Sequence, residues 1–227
     1  MARTRTMRDS DSNALADVCI PSQEISCHPI GAFRRGRKVP SMDAFLRGNA
    51  KTYESHQWLK KIKVAATRRA LELLEPAQGE LILDVGCGTG WSTEVIRDAG
   101  FQVIGLDISS EMAAIAKKKG FDVKVGDLRE MPFGDESVGH IVSISALNFI
   151  NESASSYAGV RFEYEKAAKE FWRVLKKGGR VVIEYYPRTK EELSFSSRVF
   201  RNVGFSGNIV IDGEGTRKEE IFLVLNK

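Results

Sequence analysis

The run Leu81-Ile82-Leu83-Asp84-Val85-Gly86-Cys87-Gly88-Thr89-Gly90 decides the fold. Its first five residues are apolar apart from one acid, which reads as a buried strand. Three glycines then stand at alternate positions, where a chain can turn tightly and let a ligand approach its backbone. Residues 92–99 follow with a helical pattern stopped by Gly100. A strand, a glycine turn and a helix in that order aim loop amides and a helix N-terminus at a bound group.

Strands and helices alternate outward from this run. Ile62, Ala66, Ala70 and Leu73 recur at helical spacing, and Pro76 and Gly79 end that helix. Downstream, residues 102–107, 122–126 and 140–145 read as strands, with a helix over 110–119. A longer helix is predicted over 162–176, with Phe162, Ala167, Phe171, Val174 and Leu175 in the core and Gly178-Gly179 as its C-cap. A strand over 180–186, a helix over 189–203 and two strands, 209–212 and 221–225, complete the pattern. The turn Asp212-Gly213-Glu214-Gly215 joins the last two as a hairpin. The expectation is an α/β chain with a mostly parallel sheet covered on both faces and an antiparallel hairpin at one edge.

The chain has 227 residues, 42% of them hydrophobic, and a net charge of +4. One domain over residues 42–227 is expected, preceded by a poorly ordered basic extension over 1–41 that Pro21, Pro29 and Pro40 keep from forming a helix. The run Arg34-Arg35-Gly36-Arg37-Lys38 either touches phosphates or lies solvated. No run of about 18 apolar residues occurs, so no membrane span is expected. Arg3, Arg5 and Arg8 precede no apolar segment of a signal peptide, and a cytoplasmic chain is the expectation. Cys19, Cys27 and Cys87 form no C-x-x-C pair; neither a disulfide framework nor a metal site is expected, and Cys27-His28 reads as a thiol beside a loop histidine.

The spacing of the glycines bears on the ligand. A dinucleotide site wants G-x-G-x-x-G, but here the third glycine comes one place early and position 91 is Trp. Asp84 stands directly before the bend, where it would repel a pyrophosphate. It suits the α-ammonium of a methionine moiety. S-adenosylmethionine carries that ammonium, a sulfonium and no phosphate, so charge favours it as cofactor, with S-adenosylhomocysteine as its spent form. Asp107 ends the next strand and can accept from both ribose hydroxyls. Asp127 ends the third strand and can accept from the adenine amino group, with the Leu128 amide reaching the ring and Ile108 and Leu128 packing on its faces. An acid at a strand end is, taken singly, equally a cap or turn residue. Three at successive strand ends, one beside the glycine bend, make a site. The cofactor-binding candidates are Asp84, Gly86, Cys87, Gly88, Gly90, Asp107, Ile108, Asp127, Leu128 and Ser143.

This arrangement resembles motifs I, II and III of class I methyltransferases. The resemblance implies a Rossmann-like fold with a seven-stranded, mostly parallel sheet in the order 3-2-1-4-5-7-6. After strand four stands Ser143-Ile144-Ser145-Ala146-Leu147-Asn148-Phe149, which is not the Asn/Asp-Pro-Pro-Tyr/Phe motif of exocyclic nitrogen methylation. Ser145 and Ala146 are small enough to leave room near a sulfonium. Asn148 either hydrogen-bonds an acceptor or caps a helix; Phe149 either stacks on one or belongs to the core.

Residues 49–227 are similar to the eukaryotic small-subunit rRNA guanine-N7 methyltransferases. The segments that carry this are Asn49-Ala50-Lys51-Thr52-Tyr53, Arg69-Ala70-Leu71-Glu72-Leu73-Leu74, Gly105-Leu106-Asp107-Ile108-Ser109, Ile144-Ser145-Ala146, Tyr186-Pro187 and Gly204-Phe205-Ser206-Gly207. The chain departs from that family at Asn148 and Phe149, where Gln and Trp are usual. The resemblance implies rRNA as substrate and a small zinc-containing activator protein as partner at the strand-three edge. A purine N7 has an in-plane lone pair and no proton to lose, so only in-line placement with water excluded is needed. Asn148, Phe149 and Tyr186 are the acceptor-side candidates, with Tyr53 and Trp58 as further wall residues. The competing readings are a small-molecule methyltransferase and a cofactor-binding subunit without catalysis; the Trp91 spacing speaks against a dinucleotide oxidoreductase.

Overall fold

The computed structural model describes residues 4–7, 33–34, 37–38, 50–153, 157–187, 190–216 and 219–227. Its strands are β1 (Thr4–Met7), β2 (Phe33–Arg34), β3 (Arg37–Lys38), β4 (Leu81–Val85), β5 (Gln102–Asp107), β6 (Val123–Val125), β7 (Val138–Ile144), β8 (Leu175–Tyr185), β9 (Ser206–Asp212) and β10 (Glu220–Asn226). The α-helices are α1 (Ala50–Ser55), α2 (Gln57–Leu74), α3 (Trp91–Asp98), α4 (Ser110–Lys118), α5 (Tyr157–Val174) and α6 (Lys190–Val203). A 3₁₀ segment, Leu147–Ser153, follows β7.

Eight strands form one sheet in the order β1-β9-β10-β8-β7-β4-β5-β6. Read from β6, the first seven reproduce the expected 3-2-1-4-5-7-6. The eighth, β1, comes from the N-terminal extension and pairs antiparallel with β9, Thr4 opposite Asp212. The Thr4 hydroxyl donates to Asp212 at 2.8 Å, and Arg5 pairs with Glu214 at 3.1 Å. The rest of residues 1–41, apart from the short β2–β3 pair, lies outside the described residues, as do the expected domain boundary and Cys19, Cys27 and His28.

Alternate residues of the buried strands face two cores. Leu83, Val85, Ile141 and Ile183 pack with Tyr164, Ala167 and Phe171 of α5 and Phe200 of α6. Ile82, Val142, Val182 and Phe222 pack on Ala66, Ala70 and Leu74 of α2 and Ile96 of α3. Strands buried on both faces explain the near-continuous apolar runs in the sequence. Chain order reverses at β4, which pairs in parallel with β5 on one side and β7 on the other. In such a sheet ligands sit outside the carboxyl ends of the strands at the reversal.

Two expectations need correction. Phe162 is 55% exposed rather than core, with the Lys166 ammonium over its ring at 4.5 Å. The buried stripe of α5 runs through Tyr164, Ala167, Ala168 and Phe171, and position 162 is out of phase with it. Nor do Gly178 and Gly179 cap α5, which ends at Val174 and passes directly into β8. The glycines lie where β8 bulges: Val138 faces Leu175, but His140 faces Arg180. A Cβ on Gly179 would stand 2.5 Å from the Gly139 carbonyl oxygen, so only glycine fits. The helix end is satisfied from the C-terminus, where the Lys227 ammonium donates to the Trp172 and Leu175 carbonyls, each at 2.7 Å.

Candidate active site

A cavity of about 160 Å³ opens at the carboxyl ends of β4, β5, β6 and β7, where the chain order reverses. Gly86, Gly88, Asp107, Ile108, Asp127, Leu128, Phe149 and Tyr186 line it, as do Tyr53 and Trp58. Asp84, Cys87, Gly90, Ser143 and Asn148 are not on the lining.

The glycine bend is fixed by its surroundings. Gly86 and Cys87 both donate to the Leu106 carbonyl, at 2.7 and 3.1 Å, which ties the bend to β5. Gly86 sits at φ +76°, and a Cβ there would come within 2.2 Å of the Ala146 methyl. Gly88, at φ +56°, donates its amide to Asp107 at 2.7 Å. The second Asp107 oxygen accepts from the Ser109 amide at 2.8 Å. A carboxylate has about four acceptor positions, so two backbone bonds orient Asp107 and leave capacity toward the cavity. Burial raises its pKa, against the pull of the Ser109 and Gly88 amides and of Lys63.

Asp84 is fully buried beneath the bend. One oxygen accepts from Ser92 and Thr93, both at 2.7 Å; the other is buried with no protein partner. Burial pushes its pKa up to about 6, Asp107 adds to the rise, and the two hydroxyls and Lys63 oppose it. An acid whose folded pKa exceeds its ordinary 3.8 favours folding fully only while protonated. That contribution is lost as pH rises from about 4 through about 6. The cost above that window is on the order of 3 kcal/mol. Asp84→Asn is therefore expected to raise the stability of the ligand-free protein above about pH 6 and to leave it unchanged below about pH 4. Denaturant titrations at the two pH values check this. Cys87 is buried too, and burial first, then Asp84, raises its thiol pKa well above the ordinary range.

At the β6 end, Asp127 is held by Arg129. Burial raises the acid, but the guanidinium and the Arg129 amide outweigh it and bring the pKa down. Arg129 also reaches Glu163 of α5 at 2.6 Å. At the β7 end, Ser145 adopts φ +58°, a strained conformation for a residue with a side chain. Its hydroxyl donates to the buried Glu184 at 2.6 Å, and its amide donates to the Glu184 carbonyl at 2.8 Å. Asn148 accepts from the Tyr186 amide at 2.8 Å, so it pins the post-β7 turn to the end of β8. Tyr53 stacks on Trp91 with ring centroids 4.5 Å apart. Burial first, and then Asp107, raises the phenol pKa.

The sequence reading missed Lys63, Met112 and Arg129, which all line the cavity. Each is polar or flexible on a helix or loop with no motif of its own. For Arg129, its place two residues after Asp127 was the available signal.

Fold and site together define a class I methyltransferase domain. Residues 83–183 match the family model described as "Methyltransferase domain". The fold superposes on that of a Methanococcus maripaludis protein described as a putative S-adenosyl-L-methionine-dependent methyltransferase (TM-score 0.65, 18% identity, 84% of this chain and 97% of that one). It also resembles a Haloferax volcanii putative methyltransferase solved in complex with the Trm112 methyltransferase activator (TM-score 0.58, 19% identity, 81% and 94% coverage). Residues 83–183 thus carry a methyltransferase domain, and the fold is that of the class I methyltransferases. Among curated relatives it is similar to a probable 18S rRNA (guanine-N(7))-methyltransferase of Dictyostelium discoideum, 33% identical over 183 residues. That match covers 78% of this chain and 64% of the relative, so the chain spans just under two thirds of the relative's length.

Proposed function

We propose that this chain transfers a methyl group from S-adenosylmethionine to N7 of a guanine in small-subunit ribosomal RNA. The observation that carries the reading is one cavity with two unlike halves: acids and a glycine bend at β4–β6, aromatic and small residues at β7–β8. Similarity to 18S rRNA guanine-N7 methyltransferases supports the acceptor.

The residues fit the cofactor. Asp84 keeps a buried oxygen with no protein partner, suited to an ammonium or a water that bridges to one. Asp107 would hold the ribose hydroxyls, Asp127 and the Leu128 amide the adenine edge, and Ile108 and Leu128 its faces. Cys87, within the bend, packs on Ala113, Ala116, Phe121 and Val123. When bound, the cofactor supplies an electrophilic methyl group on sulfur.

The remaining work belongs to the chain's own groups. Ser145 and Ala146 leave space at the strand end. Phe149 and Tyr186 form walls that stack on a purine and exclude water, and their electron-rich faces stabilise the positive charge the base acquires. Asn148 is a positioning residue, since its bond to the Tyr186 amide sets the spacing of those walls. N7 carries a free lone pair, so no side chain has to remove a proton.

The partner reading is a small zinc-containing activator protein at β6. Among the described residues this strand pairs only with β5, and Val125 is 48% exposed, an edge open to strand addition. The relative of the Haloferax complex supports the same partner class. Among the described residues no helix is long and apolar enough to cross a membrane, and a cytoplasmic enzyme of ribosome maturation is the matching location.

Incubation with radiolabelled cofactor and small-subunit rRNA, with and without an activator subunit, tests the reading. N7-methylguanosine in the RNA is the expected product, with binding that weakens as salt rises. Label found solely in a small metabolite would overturn the rRNA assignment.

A further inference from the structure

We propose that Glu184 is a positioning residue of the acceptor side: it holds Ser145 in its left-handed conformation and so sets the turn that joins the two halves of the cavity. The assignment rests on the methyl-transfer reading above and deepens it.

Glu184 lies near the end of β8, opposite Ile144 of β7 on one side and Phe222 of β10 on the other. It comes two residues after Val182, so its side chain points to the α2 side of the sheet, where Val182 and Phe222 belong to the apolar core. The residue is fully buried. Burying a carboxylate is costly unless hydrogen bonds compensate it. Among the described residues its side chain has one hydrogen-bond partner, the Ser145 hydroxyl at 2.6 Å, and its Oε1 is buried without any. An acid kept on these terms serves something other than packing.

Ser145 supplies the reason. It lines the cavity, and its φ of +58° is strained for a residue with a side chain. Glu184 holds it twice: the carboxylate accepts from the hydroxyl, and the main-chain carbonyl accepts from the amide at 2.8 Å. Three residues on, Asn148 accepts from the Tyr186 amide at 2.8 Å and donates to the Ser145 carbonyl at 3.4 Å. The turn 145–148 is therefore tied to β8 at both ends. Between the ties, Ala146 packs against the glycine bend, where a Cβ on Gly86 would come within 2.2 Å of its methyl. The wall residue Phe149 follows, its amide donating to the Ala146 carbonyl at 3.1 Å. A Ser145 relaxed to an ordinary φ would redirect the chain and move Ala146 and Phe149 with it. The cofactor half is held separately, by the Leu106 carbonyl and by Asp107.

Steady-state methylation of small-subunit rRNA, with calorimetry of S-adenosylhomocysteine binding beside it, tests the assignment. Glu184→Leu fills the space without an acceptor, and its kcat is expected to fall by about tenfold to 100-fold, the scale of a misplaced acceptor. Its affinity for S-adenosylhomocysteine stays close to that of the wild type. Glu184→Gln keeps an acceptor oxygen for the hydroxyl and keeps kcat. Adding Ser145→Gly to Glu184→Leu recovers most of the loss, because glycine adopts the left-handed conformation without strain. If Glu184→Leu does not fold, Ser145→Ala removes the same bond from the other side, and its kcat is also expected to fall. A wild-type kcat in Glu184→Leu or in Ser145→Ala overturns the assignment. So does a Glu184→Gln as slow as Glu184→Leu, or a double variant that recovers nothing. A wild-type protein that does not methylate this RNA overturns the acceptor reading instead. Amide hydrogen exchange over residues 145–150 then decides on Glu184: protection lost in Glu184→Leu and kept in Glu184→Gln supports it, and equal protection in all three proteins overturns it.

Discussion

Replacing Asp107 by Ala is expected to weaken S-adenosylmethionine binding by about 100-fold or more, near 3 kcal/mol. Two effects combine. The variant loses the acceptor for the ribose hydroxyls, and it releases the Gly88 and Ser109 amides that Asp107 holds at 2.7 and 2.8 Å. Loss of the first alone costs a charge-assisted hydrogen bond or two; loss of the second lets the bend relax. Asp107→Asn separates them, because an amide oxygen can keep one backbone bond, and its affinity should fall between the two. Calorimetry is the measurement. Unchanged affinity in Asp107→Ala would place the cofactor elsewhere.

Gly86→Ala is the second large effect. The new methyl would lie 2.2 Å from the Ala146 Cβ and 3.5 Å from its Cα. That neighbour is a short side chain on a turn, with no flexible end to swing aside. The backbone at Gly86 is also in the left-handed region, which a side chain adopts at a cost of about 1 kcal/mol. With overpacking of about 1–3 kcal/mol, the expected loss is about 3 kcal/mol, a fall in melting temperature of roughly 6–12 °C for a chain of this size. The amides of Gly86 and Cys87 must leave the Leu106 carbonyl, so cofactor affinity falls as well. Gly134→Ala is the control: its Cβ would meet nothing within 4 Å. Thermal denaturation with and without cofactor checks both variants.

The strands next to the bend were legible because their signal is local. Residues 81–85 and 102–107 are apolar runs bounded by turn residues, and the structure gives the same limits. Asp107 and Asp127 were legible as cavity-lining acids because one ends β5 and the other follows β6 by two residues, each at a loop. The chain positions that escaped reading depend on distant partners. Gly178-Gly179 has the local signature of a helix cap, but the cap of α5 is Lys227, 52 residues beyond Leu175. β1 becomes a strand because β9 offers it an edge, which no pattern in residues 4–7 announces. Lys63 was passed over because helical periodicity sorts a residue by face. It does not show that a long side chain spans 81 positions of sequence to the end of β7. Asn148 was read as an acceptor-side residue, and its bond from the Tyr186 amide, 38 residues away, has no local signal.

The central claim is that this cavity holds the cofactor with its amino-acid end at the Gly86–Gly90 bend and its sugar at Asp107. A crystal structure of the protein grown with S-adenosylhomocysteine tests it most directly. The account predicts both ribose hydroxyls on the Asp107 carboxylate and the amino-acid end over the glycine bend. Ligand density at another place, with none between Asp107 and the bend, would contradict it.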